Sequence, residues 1–210
     1  MKLIIVGCEY TGVTTLCESL INWGNEKGIN FHLDDHFTIP DRQQLSPEDR
    51  ATMVTLSPSL KQRWQQMQIV YHVRLMNIFD HILLGGFYIE EEVYGPLYYY
   101  PGSTVDGSRQ FETELPKDGI LVHLTARPEV IETRMKSQPH DYSVVKKEDI
   151  PMVLSRFQDE VNASSFNILG QKVEIDTSEL APNQLLQIFL NKARPLMSAR
   201  DLLIIGNNKN

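Results

Sequence analysis

In this 210-residue chain, the stretch whose residue types and spacing most directly suggest chemistry is Gly7-Cys8-Glu9-Tyr10-Thr11-Gly12-Val13-Thr14-Thr15. Two glycines separated by four residues, then one position, then a hydroxyl residue, have the spacing of a Walker A phosphate loop. The glycines let the chain turn so that successive N–H groups face an anion, and the helix that follows adds its positive end. Gly7, Tyr10, Thr11, Gly12, Val13, Thr14 and Thr15 are therefore the candidate phosphate-binding residues. Thr14 stands where a hydroxyl ligates magnesium beside the terminal phosphates. Val13 occupies the position of the motif's lysine, so the ammonium that reaches the β- and γ-phosphates is absent. A Gly-rich turn that merely joins a strand to a helix would give the same two glycines. The setting favours phosphate, because the motif falls at the first strand-to-helix junction of an alternating chain.

Further polar groups fall at the ends of other strands. Asp34-Asp35-His36 follow the stretch Ile29–Leu33, which reads as a strand, at the edge where open αβ sheets place ligands. Asp35 could act as a general base on a substrate hydroxyl or hold magnesium through water, with His36 beside it; an Asx turn capping the strand is the alternative. Among Glu90-Glu91-Glu92, one carboxylate, for which Glu91 is the candidate, could meet magnesium or a sugar hydroxyl; a solvated acidic edge is the other reading. Tyr94, Tyr98, Tyr99 and Tyr100 could stack on a base or pack around the Gly95-Pro96 turn. Arg127, Arg134, Lys136, Lys146 and Lys147 are the sources of positive charge late in the chain, unless they form an ordinary solvated face.

The elements that must position these groups alternate. Leu3–Val6 reads as a strand buried on both faces. A helix follows from Thr14, with Leu16, Leu20, Ile21 and Trp23 on one face and Gly24 and Gly28 ending it. Ile29–Leu33 is the second strand. Ser46-Pro47 and Ser57-Pro58 start helices, the latter running through Gln68 to Phe79. His81–Tyr88 reads as a third strand interrupted by Gly85-Gly86, and Gly119–Leu124 as a fourth. Arg127-Pro128-Glu129 opens a helix, a loop spans Ser137–Val145, and a second helix start lies at Lys146–Asp149. Val173–Ile175 is the fifth strand and Pro182–Ala193 the closing helix. Trp23 and Trp64 read as core anchors. Strand–helix alternation predicts an α/β fold, a parallel sheet covered on both faces, within a single domain spanning 1–210.

Composition narrows the setting. With 41% apolar and 22% charged residues the chain has the balance of a globular protein. A formal charge of −7 argues against duplex nucleic acid as a partner. No run approaches the ~20 apolar residues of a membrane span. Cys8 and Cys17 form no disulfide framework, so a cytoplasmic location is expected.

With the loop in place, the chain resembles the thymidylate kinase and deoxynucleoside kinase group of P-loop phosphotransferases over roughly Met1 to Ile175. The resemblance rests on the loop, the acidic residues after the second strand, and the Gln-rich helix Arg63-Trp64-Gln65-Gln66-Met67-Gln68. It also rests on Glu91-Glu92-Val93-Tyr94-Gly95 and on Leu124-Thr125-Ala126-Arg127-Pro128-Glu129. It implies a three-layer αβα P-loop NTPase fold with a five-stranded parallel sheet, ATP and Mg2+ as cofactors, and a small-molecule nucleotide or nucleoside as partner. Gln65 or Gln68 would read the base, with His36 and Tyr94 at the substrate. Arg127 would lie near the donor base, and Arg134 and Lys136 on a lid around 134–148. A homodimer through helices is a further habit of such kinases. Asp35, Glu91 and Arg134 would be the catalytic residues.

The resemblance also marks a second loss. Gly85-Gly86 stand where an acid–arginine pair handles the acceptor and its phosphate. Each positioned charge commonly contributes about 3–4 kcal/mol to transition-state stabilisation. The expectation is a kinase-like phosphotransferase moving the γ-phosphate of ATP to a small hydroxyl or phosphate acceptor. The alternative is a catalytically impaired nucleotide-binding protein on that scaffold. A binder of some other phosphorylated or sulfated ligand is a third reading.

Overall fold

The computed structural model describes residues 1–34, 46–103 and 108–206. Five strands form one parallel sheet in the order β2-β3-β1-β4-β5: β1 (Lys2–Val6), β2 (His32–Asp34), β3 (Ile82–Gly85), β4 (Gly119–Thr125) and β5 (Lys172–Asp176). β1 lies at the centre because its continuous aliphatic run suits a strand covered on both faces. Leu3 and Ile5 join the apolar cluster on one side of the sheet, and Ile4 and Val6 the cluster on the other.

Helices cover both faces. α1 (Val13–Glu26) and α8 (Pro182–Ala193) pack on the first face with Leu16, Leu20, Leu185 and Phe189. The second face is covered by α3 (Pro58–Ile78), α4 (Phe87–Tyr94), α5 (Pro128–Ser137) and α6 (Ile150–Ala163), through Ile69, Val93, Ile131 and Phe157. α2 (Pro47–Thr55), α7 (Ser165–Ile168) and α9 (Ala199–Gly206) complete the described helices. This is the three-layer αβα arrangement with five parallel strands that the sequence predicts. Among the described residues no helix is long and apolar enough to cross a membrane, and Cys8 and Cys17 are free and buried.

Four local expectations are corrected. Gly24 does not end α1; it is buried within the helix, where the ring of Phe31 occupies the space a Cβ would need, and Gly28, at φ 70°, makes the turn afterwards. β2 is shorter than Ile29–Leu33, since Ile29 and Phe31 are buried but precede the strand. The third strand stops at Gly85, and Phe87 and Tyr88 begin α4 instead of ending a strand. Gly86 and Phe87 both have positive φ, 77° and 56°, and this pair of left-handed residues turns the chain sharply into the helix. Finally, Trp64 is no core anchor: it is 50% exposed on the outer face of α3.

Candidate functional site

The loop between β1 and α1 is held from below and within. A Cβ at Gly7 would overlap the Leu124 carbonyl oxygen and the Thr11 hydroxyl, so only glycine lets the loop approach the end of β4. Thr11 is fully buried and donates to the Cys8 carbonyl through both its amide (3.1 Å) and its hydroxyl (2.7 Å). Tyr10 and Gly12, at φ 68° and 104°, supply the two left-handed turns. α1 starts at Val13 with no side-chain cap among the described residues. Its first-turn N–H groups are thus left for an anion, with the positive end of the helix behind them. Thr14 is exposed in this first turn, and Thr15 is half-buried.

Charge at the loop is not arranged as a phosphate clamp. The Val13 side chain packs against the apolar cluster shared by α1 and α8. Arg134 turns its guanidinium to the scaffold: Nη1 donates to the Tyr10 carbonyl (2.9 Å) and Thr177 Oγ1 (3.0 Å), and Nη2 to the Thr177 carbonyl (2.7 Å). Thr177 Oγ1 in turn donates to the Thr11 carbonyl (2.8 Å). Burial works against the Arg134 charge, and Asp176 offsets part of that cost. In this arrangement Arg134 positions the loop.

The loop also carries side chains outward to the segment after α5. The Glu9 carboxylate accepts from Ser143 Oγ (2.5 Å) and from the amides of Val144 (3.0 Å) and Val145 (3.2 Å). The Tyr10 ring stacks on His140, centroids 4.0 Å apart, and its hydroxyl accepts from the His140 amide (3.0 Å). Arg127 is half-exposed and paired with Glu129 and Glu179, while its amide donates to Ser178 Oγ (2.8 Å). Lys147 pairs with Glu132 at 2.8 Å.

On the other side of β1, α4 brings acidic and aromatic groups under the loop. Glu90 and Glu91 are buried, not part of a solvated edge. The Glu90 carboxylate occupies the space that any side chain at Gly86 would enter. Burial pushes the Glu91 carboxyl up to about 8, which favours its neutral form. Tyr94 is buried in the core, and its hydroxyl accepts from the Glu9 amide (2.9 Å), so it props the loop. Burial, with Glu9 next in effect, pushes the Cys8 thiol up to about 12, which leaves it un-ionised.

The glutamines of α3 lie on the face of the helix turned toward the core. Gln65 is fully buried, and Gln68 is half-buried with Nε2 3.4 Å from His72 Nε2. The same His72 nitrogen lies 3.5 Å from Asp34 Oδ1 at the end of β2. Asp34 pairs in register with Leu84, and Ile4 with Leu84 from the other side. Two strand spacings, about 10 Å, therefore separate Asp34 from β1 along the sheet edge. Asp35 and His36 lie outside the described residues.

The structure thus gathers Gly7–Thr15, Arg134 and Tyr94 at the first strand end, and Gln68 with His72 and Asp34 near the second; Gln65 is buried on the same face of α3. Sequence reasoning missed Glu9, His72 and Thr177, and it put Glu91 ahead of Glu90 in the acidic cluster. A signal existed for His72, which follows Gln65 and Gln68 by seven and four residues on the same helix and so shares their face. None existed for Thr177, whose role depends on two partners distant in sequence.

A sheet order of β2-β3-β1-β4-β5 with a glycine loop after the central strand can be compared with solved structures. The YorR protein of Bacillus subtilis, in complex with phosphorylated GDP, matches with a TM-score of 0.60 and 15% identity over 94% of this chain and 99% of that one. Deoxyadenosine kinase of M. mycoides with bound dATP matches with a TM-score of 0.59 and 12% identity over 92% and 100%. The chain has the P-loop nucleotide and nucleoside kinase fold. Thymidylate kinase of Candida albicans also carries it, matching with a TM-score of 0.56 and 13% identity over 92% of this chain and 91% of that one. At these identities the likeness is one of fold. No protein-family model matches the sequence, and no curated protein matches it.

Proposed function

We propose that the chain binds a nucleotide at Gly7–Thr15 and transfers phosphate slowly or not at all: a catalytically impaired member of the kinase fold. One observation carries this reading. The positions that would bear positive charge on the phosphates hold Val13, packed into the apolar cluster, and Gly86, whose side-chain space is filled by Glu90. Arg134, a cation of the proposed lid, is committed to the carbonyls of Tyr10 and Thr177. The backbone cradle survives, because an amide nest at a helix N-terminus needs no lysine.

In this proposal ATP is the nucleotide, Thr14 meets Mg2+ carried in with its phosphates, Arg127 flanks the donor base, and 134–148 is the lid. Magnesium would supply charge neutralisation between the phosphates. The protein would act in the reducing cytoplasm.

A second reading, a phosphotransferase moving the γ-phosphate to a small hydroxyl or phosphate acceptor, is favoured by the polar chain of Gln68, His72 and Asp34 and by Gln65 buried on the same helix. A scaffold that only held a triphosphate would have no use for an acceptor wall. In that reading Gln65 and Gln68 read the acceptor.

Calorimetric titration with ATP, ADP and the deoxynucleoside monophosphates, with and without magnesium, tests both when paired with a turnover assay. Micromolar binding is expected. Ordinary kinases turn over at about 1–100 per second, and two lost charges at ~100-fold or more each leave turnover below about 0.01 per second. Turnover near 1 per second with any monophosphate or nucleoside would establish the second reading. Absence of binding by every nucleotide would reduce the loop to a structural turn.

A further inference from the structure

Among the described residues, the buried group hardest to account for as packing is His123. It is 1% exposed in β4, and neither ring nitrogen has a hydrogen-bond partner. Leu121, two residues back on the same face of the strand, is fully buried. Another apolar side chain at 123 would fill the place without stranding two polar atoms. The register sets Val6, His123 and Glu174 side by side across β1, β4 and β5. Val6 immediately precedes Gly7, so His123 lies level with the start of the phosphate loop.

Three contacts in series lead from the ring to that loop. The His123 ring stacks on Phe157 of α6, centroids 6.5 Å apart. Phe157 meets the Tyr94 ring edge-on at 5.3 Å, and the Tyr94 hydroxyl accepts from the Glu9 amide at 2.9 Å. On the other side, Glu174 Oε2 stands 3.7 Å from Nδ1, about 1 Å beyond a charge-assisted hydrogen bond. That carboxylate is 41% exposed and loosely held, with Gln158 Nε2 at 3.5 Å and Lys172 Nζ at 3.4 Å. Glu174 and Lys172 of β5 are the charged groups that act on the ring. β1 sets Val6 beside it and α6 sets Phe157 against it, while burial keeps the Tyr94 phenol on α4 un-ionised.

We infer that His123 is a proton-operated prop beneath the phosphate loop: neutral, it supports Phe157 and, through Tyr94, the Glu9 amide; protonated, it shifts toward Glu174 and that support is lost. The shift is small, about 1 Å, but in a close-packed interior it exchanges one arrangement for another. Burial lowers the pKa of the ring, so the neutral, supporting form is present near neutral pH and the charged form enters in acid. The consequence for nucleotide rests on the proposed binding at Gly7–Thr15: affinity falls in acid while the fold is retained.

NMR tests the prop without a ligand. In a titration from about pH 7.5 down to about pH 5, the Glu9 amide is expected to shift with the midpoint of the His123 ring. Tyr94→Phe, which removes only the hydroxyl, should leave the ring titration in place and abolish the response at Glu9. His140, stacked on Tyr10, is another histidine close to Glu9, and His140→Gln should leave the midpoint of the Glu9 response unchanged. Calorimetry with ATP then reads the consequence. The ratio of dissociation constants at about pH 5.5 and about pH 7.5 should be about threefold or more larger in wild type than in His123→Gln or His123→Leu, the protonation of ATP being common to all. A Glu9 amide that is indifferent where His123 titrates, or that responds equally in both His123 variants, overturns the inference. So does a ring that stays neutral until the fold is lost, or a ratio equal in wild type and variants. Absence of ATP binding at about pH 7.5 would instead count against the proposed function, and the NMR titration would still decide the prop.

Discussion

Substituting Glu9→Gln tests how the loop holds the segment after α5. The Glu9 carboxylate takes three hydrogen bonds from Ser143, Val144 and Val145, an arrangement in which two successive amides and a hydroxyl enclose an anion that belongs to the protein. A hydrogen bond to a charged group contributes about 1.5–3 kcal/mol net, against about 1 for a neutral one. Glutamine keeps the length and one acceptor, but it removes the charge and points an NH2 at a group that is itself a donor. The loss should be about 2–3 kcal/mol in the closing of this segment, or roughly 30–160-fold in its opening equilibrium. Tyr10 remains stacked on His140, so the effect stays local. Native-state hydrogen exchange read by mass spectrometry on a peptide spanning Val144 and Val145 measures it, with the buried residues 120–124 of β4 as the internal control. Faster exchange of the segment with unchanged β4 is the expected result. An exchange rate within threefold of wild type would mean that Glu9 does not hold the segment closed.

Val13→Lys should strengthen ATP binding by at least tenfold in calorimetry, since a single positioned cation on the β- and γ-phosphates contributes several kcal/mol in a shielded site. Unaltered affinity would mean that the phosphates do not lie at this loop. Its turnover should still stay far below that of an ordinary kinase, because Gly85-Gly86 remain. For pH, His123 is the group to change: it is 1% exposed in β4, and burial lowers its pKa despite Glu174 at 3.7 Å. The folded state then keeps the ring neutral where the unfolded chain takes up a proton, so stability is lost as pH falls below about 6.5. His123→Leu should remove that slope, gaining up to about 1.4 kcal/mol on wild type at pH 5.5 relative to pH 7.5. Parallel denaturation curves at the two pH values would contradict it.

Much of the fold was legible because β1, β4 and α8 obey one period each. Leu3–Val6 is apolar at every position, as a central parallel strand must be. The β3–α4 region was not legible for the same physical reason that makes it important. Phe87, Tyr88, Ile89, Glu90 and Glu91 are all buried, so the helix shows no polar face and its period vanishes. What remained was an aromatic run that reads as a strand and an acidic run that reads as an edge. Trp64 failed differently: α3 has two apolar faces, and periodicity cannot say which one meets the core. At the site, Gly7, Gly12 and the missing lysine were readable from spacing alone. The roles of Arg134 and Glu9 were not, since their partners Tyr10 and Val144 lie 124 and 135 residues away.

The loop retains features that a plain connection between β1 and α1 would not need. Tyr10 sits in a left-handed conformation at φ 68°, which costs a non-glycine residue about 1–2 kcal/mol. Thr11 is fully buried to close the loop through Cys8, and Arg134 places a guanidinium under it at a cost in solvation. Strain of this kind persists where the surrounding structure holds it for a purpose; the Glu9 and Thr11 amides are taken by the Tyr94 hydroxyl and the Cys8 carbonyl, and the first turn of α1 starts with no side-chain cap. In the proposed reading, Val13 stands where the motif's lysine would be, with the carboxylates of Glu9 and Glu90 close to Cys8. In the same reading, an anion entering this site would meet backbone dipoles that bind it and few charges that would stabilise a transition state. That combination favours occupancy over turnover.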